Sequence, residues 1–226
     1  MNERLNKYLA LNLGISRREA DNLIAANKVT INDIVATLGA RFNDGDTIQV
    51  AGKPIEGTQA LEYIALNKPT GYVSSRKQQG DNPTIYSLLP PKYHHLKPVG
   101  RLDKDSSGIM LLTNDGDFAY QMTHPKFYKV KKYTVTLSKD LEPLHHQMIN
   151  DIGVTLEDGV SKLSLEKQDD KDASKWIVTM SEGRNRQIRR TFGSLGYTVL
   201  KLHRTNFGNY AVGDIKPGEF EIITIQ

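Results

Sequence analysis

From residue 62 to residue 225 the chain sets eight strand-length runs against only three helix-length ones, and that imbalance limits the fold more than any other feature of the sequence. The strand-like runs cover 62–67, 97–101, 108–113, 130–137, 153–165, 175–181, 197–203 and 219–225. Helical spacing is confined to 117–123, to 141–150 with Leu141, Leu144 and Met148 on one face, and to 185–195 with Ile188, Phe192 and Leu195 on one face. Gly196 supplies a stop for the last of these. Strands this numerous, without a helix between each pair, predict an α+β domain: a mixed, largely antiparallel sheet flanked by helices.

The first 55 residues obey another pattern. Leu5, Tyr8 and Leu9 stand at helical spacing, the chain turns at 12–14, and Ser16 with Glu19 three residues on forms a capping box that starts a second helix with Ala20, Leu23 and Ile24 inward. Val29 and Ile31 open a strand, Asn32 and Asp33 turn it, and Ile48 and Val50 close the unit. A polar stretch from Gly52 to Gln59, with Pro54 and Gly57, separates this unit from the strand that starts near Tyr63. The expected organisation is a small α+β domain at 1–55, a linker at 56–61 and a larger domain at 62–226.

Composition removes several classes of function. There is no cysteine, so thiolate nucleophiles, disulfides and thiolate metal sites are absent, and the six His residues lack metalloprotease spacing. No apolar stretch approaches the roughly 20 residues of a spanning helix, and no secretory signal is legible at the N-terminus. The expectations are no metal, no membrane and a cytoplasmic address. A net charge of +4 points to a polyanionic partner only weakly, but its distribution says more. Residues 184–204 carry Arg184, Arg186, Arg189, Arg190, Lys201 and Arg204 without one acid, and Lys126, Lys129, Lys131 and Lys132 lie beside Tyr128 and Tyr133. Both clusters read as phosphate-facing surface.

The segment at 98–116 holds a Gly100-Arg101-Leu102-Asp103 loop between a strand end and an apolar strand, a setting in which a rigid scaffold presents one carboxylate into a cleft. Alone it is ambiguous, because an Asp in a polar loop is more often a turn former.

Four segments in order give the loop its context. The stretch around Asp103 closely resembles the catalytic motif of pseudouridine synthases of the RsuA/RluB family, the branch that modifies ribosomal RNA. Residues 66–72, Leu-Asn-Lys-Pro-Thr-Gly-Tyr, resemble that family's first motif. Residues 132–135, Lys-Tyr-Thr-Val, resemble the segment that supplies its active-site tyrosine, and 182–190 with Gly196, Tyr197, Arg204 and Phe207 resemble its last motif. The N-terminal unit is similar to the alpha-L RNA-binding domain shared with a small-subunit ribosomal protein of the S-four type. Two departures stand out: Asn32-Asp33 replaces a more usual Gly-containing turn, and Thr191 occupies a position where a bulkier apolar residue is typical.

The resemblance implies isomerisation of a uridine in ribosomal RNA without a cofactor. Asp103 is then the catalytic carboxylate, Tyr133 the aromatic face for the extruded base, and Arg189 the guanidinium that pairs with Asp103 and favours its ionised form. Helical spacing agrees in setting Arg189 beside the core-facing side, with Arg186 and Arg190 fanning outward, so that Arg184, Arg186 and Arg190 suit RNA-backbone binding. Arg101 is expected to hold the displaced nucleotide, Lys68 to contact substrate, and Arg17, Arg18 and Lys28 to serve the RNA-binding domain of a monomer. Two other classes of function compete: a ribosome-assembly factor that has lost catalysis, and a nucleoside hydrolase. The second would need two carboxylates flanking the bond, and Asp105 in its Ser-Ser-Gly surroundings reads as a turn.

Overall fold

The computed structural model describes residues 2–55, 59–76, 80–169 and 171–225. The chain divides into two compact units. One comprises 1–62 with Lys92–Lys97 and Thr113–Gly116; the other comprises the remainder. Residues 56–58 of the expected linker lie outside the described residues.

In the smaller unit α1 (Leu5–Asn12) and α2 (Arg17–Ala25) pack on a four-stranded antiparallel sheet. Its strands are β1 (Val29–Ile31), β2 (Ile34–Val35), β3 (Ile48–Val50) and β4 (Lys53–Pro54), in the order β2-β1-β3-β4. The capping box at the start of α2 is formed: Glu19 N–H donates to Ser16 Oγ at 3.1 Å and Ser16 N–H to the Glu19 carboxylate at 2.6 Å. Leu5, Leu9, Ala20, Ile24, Val29 and Ile48 form the core, which is the apolar pattern of the two helices closed on alternate residues of the strands. Asn32 and Asp33 both adopt left-handed φ angles, 50° and 65°, and therefore make the tight turn without glycine. Asn32 fixes that turn by bonding Asp46 and the backbone of Thr47, both at 2.8 Å. Segments distant in sequence join this unit through Glu62, whose N–H and carbonyl bond Asn114 and Thr113 and whose carboxylate meets His95 at 2.7 Å.

The larger unit is built on one mixed sheet. Its principal strands are β5 (Tyr63–Lys68), β6 (Ser107–Thr113), β7 (Lys131–Leu137), β8 (Ser164–Lys167), β9 (Lys175–Met180), β10 (Val199–Phe207) and β11 (Phe220–Ile222). They lie in the order β8-β9-β7-β10-β6-β5-β11. Pairing is antiparallel at β8/β9, β9/β7, β7/β10 and β5/β11, and parallel at β10/β6, so the expected mixed, largely antiparallel sheet is present. Helix α3 (Gly116–Thr123) buries Phe118 and Met122 against Tyr63, Ile109, Leu111 and Phe207. The central strands β5 and β6 are buried along nearly their whole length, which is why their sequences run apolar rather than alternating.

Two helical expectations shift. The segment at 141–150 becomes α4 (Pro143–Gln147) continued by a π-helical turn at Met148–Ile152. Leu141 and Ile149 are buried while Leu144, expected on the core face, is exposed; the helix begins only at Pro143, so Leu141 packs from outside it and helical spacing does not tie Leu144 to the same face. The segment at 185–195 is helical only over α5 (Gln187–Gly193), where Ile188 and Phe192 are buried as expected. Thr191 is also fully buried there, and its hydroxyl bonds Ser161 Oγ at 2.7 Å and the Gln187 carbonyl at 2.9 Å. Those two bonds explain a polar residue at an apolar site.

Candidate active site

The loop 100–106 joins a short strand to β6 and is held from behind by three backbone anchors. Ser74 Oγ donates to the Leu102 carbonyl at 2.7 Å and accepts from Leu102 N–H at 3.2 Å, and Gly71 N–H donates to the Lys104 carbonyl at 2.7 Å. Lys68, at the end of β5, has no exposed surface, and its ammonium donates to the carbonyls of Pro69, Asp103 and Ser106 at 3.1, 3.0 and 2.6 Å. The expected substrate contact by Lys68 is thereby corrected: its three donors are all taken by main-chain acceptors that shape the loop. Burial pulls the Lys68 ammonium down to about 8, against the opposing pull of Asp103 and Asp105.

Asp103 itself is partly exposed and opens on a cavity of about 370 Å³ that is lined also by Arg101, Tyr133, Arg186 and Arg204. The guanidinium nearest to its carboxylate belongs to Arg186, with 3.5 Å between Nη1 and Oδ2. Arg186 also grips Asp105 through two bonds of 3.2 and 3.0 Å, a fork-to-carboxylate arrangement. Arg189, expected to pair with Asp103, instead joins three elements: Nη1 donates to the Val199 carbonyl at 2.7 Å, Nη2 to the Asp105 carbonyl at 2.8 Å, and Nε lies 3.3 Å from the Asp105 carboxylate. The cause is local. Arg186 precedes α5 with a left-handed backbone, φ 48° and ψ 31°, which turns its side chain back toward the 103–105 loop rather than outward.

Asp105, read from sequence as a turn residue, is therefore the clasp between loop and helix. Burial pushes its carboxyl upward, but the Arg186 hydrogen bond and the charges of Arg189 and Arg186 outweigh this and hold it below the ordinary range. Two further expectations are corrected. Arg184 and Arg190 both meet Asp158: Arg184 Nη1 at 2.9 Å, and Arg190 through two bonds of 3.0 and 2.6 Å. Arg184 also donates to the carbonyls of Asp158, Gly159 and Val160. With these donors engaged, the two arginines fasten the 158–160 turn to α5 rather than standing free for phosphate. Arg101, by contrast, is exposed at the cavity wall with no ion-pair partner among the described residues.

The cavity floor holds two cations that sequence patterning assigns only to basic surface. Arg204 is 2% exposed, pairs with Tyr133 across the β7/β10 register, and donates from Nε to the Ile109 carbonyl at 2.9 Å. Burial pushes its guanidinium downward, and the Tyr133 oxygen beside it opposes that shift. Lys131 donates to the carbonyls of Ser181 and Glu182 at 3.4 and 3.1 Å, and its ammonium is lowered chiefly by burial and also by Arg204. Tyr133 is 8% exposed with its ring on the cavity. The strand expected at 197–203 stops one residue short of Arg204, whereas β10 runs on to Phe207; carried that far, period-two alternation sets Arg204 on the same face as Leu202, which is the signal the sequence holds for its burial. In the small unit Arg17, Arg18 and Lys28 are exposed, with Arg17 donating to Asn6 at 3.1 Å.

A carboxylate on a rigid loop, a guanidinium beside it, a tyrosine ring and a cavity of nucleoside size suit chemistry at a base or sugar drawn out of its stack. The profile of the RNA pseudouridylate synthase family matches residues 62–194, and that of the S4 domain matches residues 3–48. The chain belongs to the RNA pseudouridylate synthase family. It is 35% identical over 229 residues to ribosomal small subunit pseudouridine synthase A of Pasteurella multocida (strain Pm70), covering 99% of this chain and 97% of that protein. It is also 35% identical over 229 residues to ribosomal large subunit pseudouridine synthase B of Bacillus subtilis (strain 168), covering 98% and 92%. A crystal structure of a pseudouridylate synthase superposes with a TM-score of 0.67 at 31% identity, covering 98% of this chain and 96% of the other.

Proposed function

We propose that this protein converts a specific uridine of ribosomal RNA to pseudouridine, with Asp103 as the essential carboxylate and no cofactor. The isomerisation breaks the C1′–N1 bond, turns the uracil in place, joins C1′ to C5, releases the C5 proton to solvent and takes up one proton at N1, so atoms balance and oxidation state is conserved. Asp103 acts as nucleophile toward C1′ or uracil C6, or as base on the sugar. Arg186 sets its guanidinium 3.5 Å from that carboxylate, and Tyr133 offers the aromatic face that offsets part of the cost of unstacking. Arg101 is assigned to the backbone or vacated position of the displaced nucleotide, and the N-terminal domain to RNA affinity through Arg17, Arg18 and Lys28. The observation that carries the reading is Asp103 opening on a cavity shared with Tyr133 and a guanidinium 3.5 Å away.

The test is genetic and chemical. In cells lacking this gene, the intact protein and its Asp103→Asn variant are expressed in turn, and pseudouridine is mapped at every position of both ribosomal RNAs. One uridine, in one of the two RNAs, is expected to be modified by the intact protein alone. Identical maps from both proteins would remove the assignment.

A further inference from the structure

Beside the catalytic cavity lies a second one of about 650 Å³, and the two share a wall formed by Pro125, Met180, Ser181 and Glu182. Tyr128 and Lys162 also line this second cavity. Tyr128 is unusual twice over. It is 74% exposed, with no ring stacked on it among the described residues, and its backbone is left-handed at φ 49°, a conformation that costs a non-glycine residue about 1 kcal/mol or more. A large aromatic ring held in solvent on a strained backbone gains nothing from the hydrophobic effect in the free protein. Lys162 is exposed and has no ion-pair partner among the described residues, whereas Glu182, the acid of the shared wall, is neutralised by Arg184 at 3.5 Å and bonded by Gln187. The free charge facing this cavity is consequently positive.

We infer that this second cavity binds the nucleotide flanking the target uridine, with its unpaired base stacked on Tyr128 and its phosphate facing Lys162. The inference rests on the RNA-modifying function proposed above and extends it to a site outside the catalytic cavity. An open aromatic face with a nearby cation is the arrangement that takes single-stranded bases without regard to sequence. The shared wall makes the two cavities neighbours, so a strand whose target base enters the first brings its adjoining nucleotide within reach of the second. A second protein chain would need a continuous apolar face, and this cavity mixes Tyr128 and Val130 with Asn150, Ser164 and Thr179.

The test uses the full chain and a transcribed ribosomal-RNA fragment containing the modified uridine, alongside equilibrium binding of a short oligouridylate. Tyr128→Asn, which tolerates the left-handed backbone, and Tyr128→Ala should each raise KM about tenfold, the loss of one base–aromatic stack, and by more than they change kcat. Oligouridylate binding should weaken in parallel, and Tyr128→Trp should restore both. Lys162→Gln should reduce the slope of log affinity against log salt by about 0.7, one phosphate contact on a single strand. Replacing the flanking nucleotide on one side of the target by an abasic residue should raise KM for the intact protein and leave no further penalty for Tyr128→Asn. Unchanged KM and unchanged oligouridylate affinity in both Tyr128 variants, or a Tyr128→Asn penalty unchanged by abasic residues on either side, would overturn the inference. Absence of ribosomal-RNA modification by the intact protein would instead strike the proposed function, and the oligouridylate result would still report on this cavity.

Discussion

The Arg186 guanidinium reaches two carboxylates at once: it stands 3.5 Å from Asp103 and bonds Asp105 at 3.2 and 3.0 Å. A bridge of this kind fixes the distance between the loop and the start of α5, so the charge beside Asp103 is set by the geometry of Asp105. Removing it with Arg186→Gln should lower the single-turnover rate at saturating RNA about a hundredfold, the scale seen when one preorganised donor is lost. Arg186→Lys should recover little, because an ammonium cannot form the fork to Asp105 while facing Asp103. Rapid-quench measurement of pseudouridine formation reads both; an unaltered rate in Arg186→Gln would remove Arg186 from the site.

Lys68 makes stability depend on pH in a particular window. Its ammonium is held near 8 in the folded protein against 10.5 when solvated, so between about pH 8 and 10.5 the unfolded chain binds the extra proton. Folding stability from this group therefore rises with pH across that window and is at its least below it. Urea midpoints measured from about pH 7 to pH 10 should show this rising contribution in the intact protein and lose it in Lys68→Met. The same variant should be less stable at neutral pH, since the carbonyls of Asp103 and Ser106 are left without a donor. Parallel pH profiles for the two proteins would contradict this.

The sheet class, the N-terminal capping box and the Gly-Arg-Leu-Asp loop are legible in the sequence because each arises from local spacing. The exchange of partners between Arg186 and Arg189 is not. A helical reading of 185–195 gives Arg186 a helical backbone and turns it outward, whereas the helix starts at Gln187 and Arg186 sits before it at φ 48°. Lys68 is expected to contact substrate because nothing near it in sequence announces the carbonyls of Asp103 and Ser106, 35 and 38 residues away. Arg184 and Arg190 read as free for the same reason: their common acceptor, Asp158, lies 26 and 32 residues back in a turn with no distinguishing pattern.

Gly108 marks where the 100–106 loop enters the sheet. Its φ is 111°, and a Cβ there would lie 2.2 Å from the Arg204 carbonyl oxygen and 2.5 Å from the Arg204 nitrogen. Neither atom belongs to a flexible side chain, so Gly108→Ala must push β6 away from β10 beneath the cavity. A loss of about 3 kcal/mol in chemical denaturation is expected, with activity falling more than folding alone explains. A variant as stable as the parent would contradict the close strand approach.

Residues 1–55 carry seven Lys or Arg against six Asp or Glu, so RNA affinity in the N-terminal domain must come from local placement rather than total charge. Joint substitution of Arg17, Arg18 and Lys28 by Gln should weaken RNA binding and cut the salt slope by about 2, or about 0.7 for each phosphate contact removed. Filter binding across a salt series measures it. An unchanged slope would place the RNA contacts of this domain elsewhere.

Ribosomal RNA labelled with tritium at uracil C5 offers the most direct measurement, because joining C1′ to C5 expels that hydrogen to water. The intact protein should release tritium in proportion to the pseudouridine formed, with no free uracil, while Asp103→Asn releases none and still binds the RNA. Equal tritium release from the variant would show that the carboxylate at position 103 is not the group on which the reaction depends.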